Sequence, residues 1–210
     1  MSQFWESNFI EKQKIWGDAA TDLAVDAADL FMREGLSNIL IPGFGYGRNA
    51  MEFIKRNIKV TGIEISQTAI KLAQDHFSNE TKIHHGSVAQ MPFDDTKYDG
   101  VFCHALLHLL EEDERKHCID QSYRHLTKGG LMYFTVISSL DSAFENGEKI
   151  GHNRFQSPHG VNLFFYDESA IANEFEAYGL IEAQERQEPL IPKAGSKGQR
   201  FWKVLCRKEQ

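Results

Sequence analysis

Three glycines at alternate positions, Gly43, Gly45 and Gly47, stand between a short apolar run, Ile39 to Ile41, and a stretch with Ala50, Phe53 and Ile54 on one side. The run reads as a buried parallel strand, and the chain from Gly47 onward as a helix. Glycine suits the junction because the chain must turn tightly, take positive φ, and let a ligand reach backbone N–H groups with no Cβ in the way. The helix N-terminus would then face that ligand with its partial positive charge. Seventeen residues after Gly47, the run Ile58 to Glu64 reads as a second strand ending in a carboxylate. An acid at that spacing accepts hydrogen bonds from the two hydroxyls of a ribose. Loop and carboxylate together point to a nucleotide-like ligand.

A second group of candidates follows the apolar strand Tyr98 to Cys103. His104 would sit beyond the strand's C-terminal end, near the switch point between the first and fourth strands, where doubly wound sheets place ligands. An intrinsic pKa near neutrality makes it the best placed base if an acceptor must lose a proton; His108, His152 and His159 are weaker candidates. His104 and His108 have the i, i+4 spacing of helical zinc ligands, but the glutamate of H-E-x-x-H and a third ligand are missing, so no metal is expected. His108 reads first as a packed, satisfied residue, whereas His104 reads equally well as cleft-lining or structural. Where the acceptor is already a soft anion no base is needed, and Arg154, Lys193 or Lys197 would hold a negative group.

These residues need a frame. Residues 1–35 read as a helical N-terminal extension, with Leu23, Ala27, Leu30 and Phe31 at helical spacing before Gly35. Trp16 there either folds over the cleft as a lid or glues the extension to the sheet. Ser66 can cap a helix running to about Phe77, Lys82 to His85 is a third strand, and a charged helix runs from Glu112 to Leu126. Leu131 to Ile137 is an apolar fifth strand. Residues 138–166 form a long connection with Arg154, His159 and Tyr166, read as a substrate loop because structureless stretches of that length are usually functional or disordered. Asp167 caps a further helix, Leu180 to Arg186 is a sixth strand, and Phe201 to Cys206 a last one made antiparallel by its short connection. These elements make an α/β frame with an antiparallel last strand. The frame forms a single domain, 1–210, whose core spans 36–210.

The 41% hydrophobic and 25% charged content is ordinary for a globular protein. A net charge of −7 argues against a broad nucleic-acid footprint and favours a small-molecule partner. No stretch has a signal-peptide pattern or approaches a membrane span. Cys103, Cys118 and Cys206 are odd in number and lack C-x-x-C spacing, so the cytoplasm is the default compartment.

A dinucleotide fingerprint counted from Gly43 would need glycine at position 48, where Arg48 stands. The pattern Gly43-x-Gly45-x-Gly47 instead resembles the class I S-adenosylmethionine-dependent methyltransferases. Lys128-Gly129-Gly130 before the fifth strand extends the resemblance, which covers nearly all of the chain from about residue 36. Pro42-Gly43 is similar to thiol, thiopurine and halide methyltransferases, and Arg48-Asn49 to tellurite-resistance methyltransferases. The resemblance implies that the frame is completed as a doubly wound, Rossmann-like, mostly parallel sheet of seven strands with a terminal antiparallel strand and helices on both faces. S-adenosylmethionine would be the cofactor and S-adenosylhomocysteine the product. It implies a cofactor site of Gly43, Phe44, Gly45, Tyr46, Gly47, Asn49, Glu64, Ile65, Ser87, Val88 and His104, with Ser87 and Val88 at the adenine. Trp16, His108, Arg154, His159 and Tyr166 are the expected acceptor residues. The family's usual acids at 41 and 87 are Ile41 and Ser87 here, which leaves Glu64, the loop amides and Asn49 to hold the cofactor. The activity implied is direct methyl transfer to a small-molecule nucleophile. The alternatives are a non-catalytic, regulatory S-adenosylmethionine-binding protein and, disfavoured by Arg48, a nicotinamide-dependent oxidoreductase.

Overall fold

The structure is a computed structural model that describes residues 2–75, 77, 81–192, 195 and 197–209. Lys193 lies outside the described residues.

Two helices open the chain, α1 (Ser2–Lys12) and α2 (Asp22–Arg33). Thr21 starts α2 by accepting from the Ala24 amide, which satisfies one of the N–H groups a helix start leaves unpaired. Then follow β1 (Asn38–Pro42), α3 (Ala50–Ile54), β2 (Lys59–Glu64), α4 (Gln67–Gln74), β3 (Lys82–His85) and β4 (Tyr98–His104). The second half holds α5 (Glu112–His125), β5 (Leu126–Ile137), β6 (Glu148–Gly151), β7 (Arg154–Gln156), β8 (Asn162–Phe164), α6 (Glu168–Phe175), β9 (Leu180–Glu188) and β10 (Gln199–Arg207).

Seven strands form one sheet in the order β3-β2-β1-β4-β5-β10-β9, in which β10 runs antiparallel to both its neighbours. The order reverses between β1 and β4, whose parallel pairing at Ile39↔Gly100 and Leu40↔Val101 opens a crevice beyond their C-terminal ends. Side chains alternate across the sheet with period two. Leu40, Val101, Cys103, Met132 and Phe134 pack on one face with α5 and α6. Ile39, Ile41, Phe102, Leu131 and Tyr133 pack on the other with α2 and α3. Asp99, at the start of β4, accepts from the Ser37 and Asn38 amides and so fixes the start of β1.

Three differences from the sequence reading have physical causes. The helix after the glycines begins only at Ala50 and has five residues, so it is too short to carry a useful dipole. Helix α4 stops at Gln74, short of Phe77, whose side chain is buried against Phe44 instead. Residues 138–166 are not an open loop: β6, β7 and β8 make a small antiparallel sheet. Its apolar side chains Phe155 and Phe165 bury against Leu23, Ile137 and Phe201.

Candidate active site

The glycines do three different jobs. All take positive φ, at 71° for Gly43, 58° for Gly45 and 83° for Gly47. A Cβ on Gly47 would come within 2.2 Å of the Phe77 ring and 2.9 Å of the Phe44 ring. Gly47 is therefore demanded by packing. A Cβ on Gly43 would stand 3.1 Å from the Leu106 side chain, whereas one on Gly45 would meet nothing within 4 Å. Gly45 borders open space, as a residue must where backbone meets a ligand. Phe44, although between two glycines, turns its ring into the core against Gly62 and Phe77.

Glu64 ends β2 under this turn. One carboxylate oxygen accepts from the Gly45 amide at 2.7 Å and the other from the Ser66 amide at 2.8 Å. Burial raises its pKa, and the backbone amides work against that shift. Each oxygen keeps acceptor capacity, which suits a vicinal diol.

Glu64 lies in the wall of a cleft of about 590 Å³, within the range of small-molecule and cofactor sites. At one end the walls are Gly43, Gly45, Glu64, Ile65, Ser87 and Val88. Ser87 starts the short 3-10 turn Val88–Gln90 by accepting from the Ala89 amide. At the other end stand Trp16, Thr21, Arg48, Asn49, His104, His108, Glu188, Pro189 and Phe201. Tyr46 and Phe44 also reach the cleft. The Tyr46 hydroxyl accepts from the Trp16 amide and donates to the Gly17 carbonyl, and the Trp16 ring stacks on the Tyr46 ring. Trp16 is thus tied to the glycine turn and still half exposed.

His104 and His108 both border the cleft. Ala105, with φ of 54°, turns the chain sharply at the end of β4, and its amide donates to Thr135. The Thr135 hydroxyl lies 2.7 Å from His104 Nδ1. His108 Nδ1 accepts from the Ile137 amide, which puts its proton on Nε2. Burial pushes both imidazoles down to a pKa of about 3, with the Arg48 charge adding to the effect at His104. Both are neutral at physiological pH, the form in which an imidazole can accept a proton, although so low a pKa makes His104 a weak base. The pair is also not on one helix, since His104 ends a strand and His108 lies in a 3-10 turn. Among the described residues no group of three or more His, Cys, Asp or Glu could hold a metal ion.

Other sequence candidates fall outside the cleft. Tyr166 is fully buried, with its hydroxyl donating to Glu174 and its carbonyl accepting from Trp202 Nε1, so it is core. Arg154 is paired with Glu111, and His159 is exposed on the turn between β7 and β8. No residue of 138–166 borders the cleft. That segment backs the wall through Phe155 and Phe165 behind Phe201. Asn49 does border the cleft, but its Oδ1 accepts from the Thr21 amide and hydroxyl, anchoring the start of α2.

Sequence reasoning missed Arg48, Glu188, Phe201 and Thr135 as parts of this site. Arg48 Nη1 donates to the Trp16 carbonyl at 2.9 Å and the Ala19 carbonyl at 3.3 Å. Glu188 accepts from the Asp22 and Leu23 amides at the start of α2, and burial raises its pKa. Nothing in local spacing marks these residues, because they meet only when β9, β10 and α2 close on the glycine turn.

A glycine turn, a strand-end carboxylate and a cleft at the switch point of a sheet with β10 inserted antiparallel define the class I methyltransferase fold. Residues 39–130 match the family described as Methyltransferase domain. The chain is 24% identical over 181 residues to a tRNA N(3)-methylcytidine methyltransferase of Drosophila melanogaster, covering 77% of this chain and 53% of that protein. It is 28% identical over 128 residues to an O-methyltransferase of Aspergillus nomiae, covering 57% and 56%. The chain spans about half the length of the curated relatives it matches. In fold it is similar to the Burkholderia thailandensis 1,6-didemethyltoxoflavin-N1-methyltransferase, at a TM-score of 0.73 and 16% identity over 100% of this chain and 87% of that one. It is also similar to an N-methyltransferase of Bradyrhizobium japonicum in complex with S-adenosylhomocysteine, at a TM-score of 0.69 and 17% identity over 100% and 98%.

Proposed function

We propose that the protein transfers a methyl group from S-adenosylmethionine to a nucleophile on a small molecule by direct in-line displacement. The observation that carries this is the pairing of open space at Gly45 with a buried Glu64 carboxylate whose two oxygens hold only backbone amides within the cleft. Those features fit the cofactor's ribose and backbone-facing edge. The cofactor, when bound, supplies a sulfonium-activated methyl group.

The chain's own residues bind, orient and exclude water. Glu64 accepts from the ribose hydroxyls. Gly43 and Gly45 let backbone approach closely, Ile65 and Val88 supply apolar contact, and the Ser87 hydroxyl and Val88 amide meet the adenine. Asn49 acts indirectly, by holding Thr21. His104, kept neutral, orients the acceptor by hydrogen bonding. Trp16 and the start of α2 border the acceptor end, α1 lies over the Glu64 end with Glu6 accepting from Ser66 and Thr68, and 138–166 stiffens the wall behind Phe201.

The small-molecule reading is supported by the size of the cleft and by the net charge of −7, which disfavours polyanions. Among the described residues no helix is long and apolar enough to cross a membrane. Three free cysteines, all buried, suit the reducing cytoplasm.

The test is turnover. Purified protein, labelled S-adenosylmethionine and a panel of thiols, phenols and amines should give a methylated product and S-adenosylhomocysteine in equal amounts. Label transfer to no acceptor, with cofactor bound, would refute catalysis.

A further inference from the structure

Among the described residues, one lysine or arginine borders the cleft, Arg48. Arg56, Arg115, Arg124, Arg154 and Arg207 each hold a carboxylate. Among the described residues no carboxylate forms an ion pair with Arg48. Its partners are two backbone carbonyls, through Nη1, and the face of Trp16, 5.7 Å from the guanidinium carbon. These fix the group in place without neutralising it. The nearest acidic influence is Glu188, but that carboxylate already accepts from two amides of α2.

Apart from Glu188, the rest of this end is apolar or neutral. Trp16, Phe201 and Pro189 supply flat hydrophobic surface, and His104 and His108 carry no charge near neutral pH. A fixed, partly desolvated guanidinium facing such walls is a slot for one planar anion, because guanidinium geometry matches a carboxylate and the interaction strengthens out of water. The sequence reading gave the anion-holding role to Arg154, Lys193 or Lys197. Arg154 is taken by Glu111, Lys197 is exposed and borders no part of the cleft, and Lys193 lies outside the described residues.

We infer that the methyl acceptor is a flat, largely apolar molecule bearing a carboxylate or comparable oxyanion separate from its nucleophile, and that Arg48 seats that anion beside His104. The inference rests on the methyl-transfer reading. It makes Arg48 a specificity-determining residue: it selects which acceptor binds and takes no part in the displacement.

The experiment uses matched pairs of probes that differ in one charge: thiosalicylate and its amide, and salicylate and its amide. Binding of each is measured by calorimetry to the full chain saturated with S-adenosylhomocysteine, for wild type, Arg48→Lys and Arg48→Gln. The acids should bind wild type roughly tenfold to a hundredfold more tightly than the amides. Arg48→Gln should abolish that preference while leaving the amides unchanged, and Arg48→Lys should retain part of it. Acids and amides of equal affinity, or a preference that survives Arg48→Gln, would overturn the proposal while the methyl-transfer reading stands. Loss of S-adenosylhomocysteine binding in Arg48→Gln and Arg48→Lys alike would overturn it too, by showing that Arg48 serves the cofactor loop. Failure of wild type to bind S-adenosylhomocysteine at all would instead remove the methyl-transfer reading itself.

Discussion

The two ends of the cleft are built by opposite means. The Glu64 end comes from three short junctions, 43–47, 64–65 and 86–88, each following directly on a strand of the parallel sheet, and works largely through backbone geometry. The Arg48 end gathers Trp16, Thr21, His104, Glu188 and Phe201 from the whole length of the chain, and works through side chains. A backbone-defined site needs glycine at fixed places and so leaves a motif. A side-chain-defined site needs only that distant residues converge, and leaves none. The first kind suits a ligand that never changes, and the second one that can be altered by substitution.

The contrast can be broken at its strongest point, Gly47. Gly47→Val would drive a branched side chain into Phe77 and Phe44 at a φ of 83°, combining overpacking with left-handed strain. The expected loss is about 3 kcal/mol or more, read as a collapse of the thermal transition. Gly45→Ala sharpens the point, since its Cβ meets nothing within 4 Å and only strain of about 1–2 kcal/mol is added. That variant should stay folded at 25 °C and still bind S-adenosylhomocysteine at least tenfold more weakly. Equal damage to stability from both variants would mean that the glycines share one role.

At the other end the expected handle is pH. His104 and His108 have pKa values of about 3 in the fold against 6.5 for an unperturbed histidine. As pH falls, the unfolded chain takes up these protons first, so the stability that goes with neutral imidazoles is complete above pH 6.5 and drains away down to about pH 3. Melting temperature should fall across that window. His108→Gln should be less stable at pH 7.5 and show a flatter slope; parallel curves would contradict the assignment of buried neutral histidines.

The smallest effect is expected at Arg154. Its partner Glu111 is largely exposed, so Arg154→Ala should cost no more than about 1 kcal/mol and leave acceptor KM within about twofold. A large rise in KM would return the 138–166 segment to the cleft.

Much of this molecule was legible before its structure was known, and the pattern of success follows the same divide. Short apolar runs marked the individual strands, because that signal is local, and the short connection before Phe201 marked the last one as antiparallel; their assembly into a seven-stranded sheet came from the family resemblance. The position of Glu64 beside the glycine turn was legible because strand length fixes where a carboxylate falls after that turn. Tyr166 and Arg154 misled because an aromatic or charged residue in a long connection carries no sign of direction: one turned into the core toward Glu174, the other out to Glu111. The 138–166 segment looked structureless because its three strands have three or four residues each, too short for periodicity to register. Arg48 was visible only as the residue that breaks a dinucleotide fingerprint. Its place in the cleft depends on Trp16 and Ala19 folding back over the glycine turn.

The central claim is that Glu64 and the glycine turn form an S-adenosylmethionine site. Its most direct test is calorimetric titration of wild type and Glu64→Ala with S-adenosylhomocysteine. The account predicts saturable binding at one site per chain, weakened in the variant by about 1.5–3 kcal/mol, the worth of hydrogen bonds to a charged acceptor. Wild-type binding that Glu64→Ala leaves unchanged would place the ligand elsewhere, and no wild-type binding would contradict the account outright.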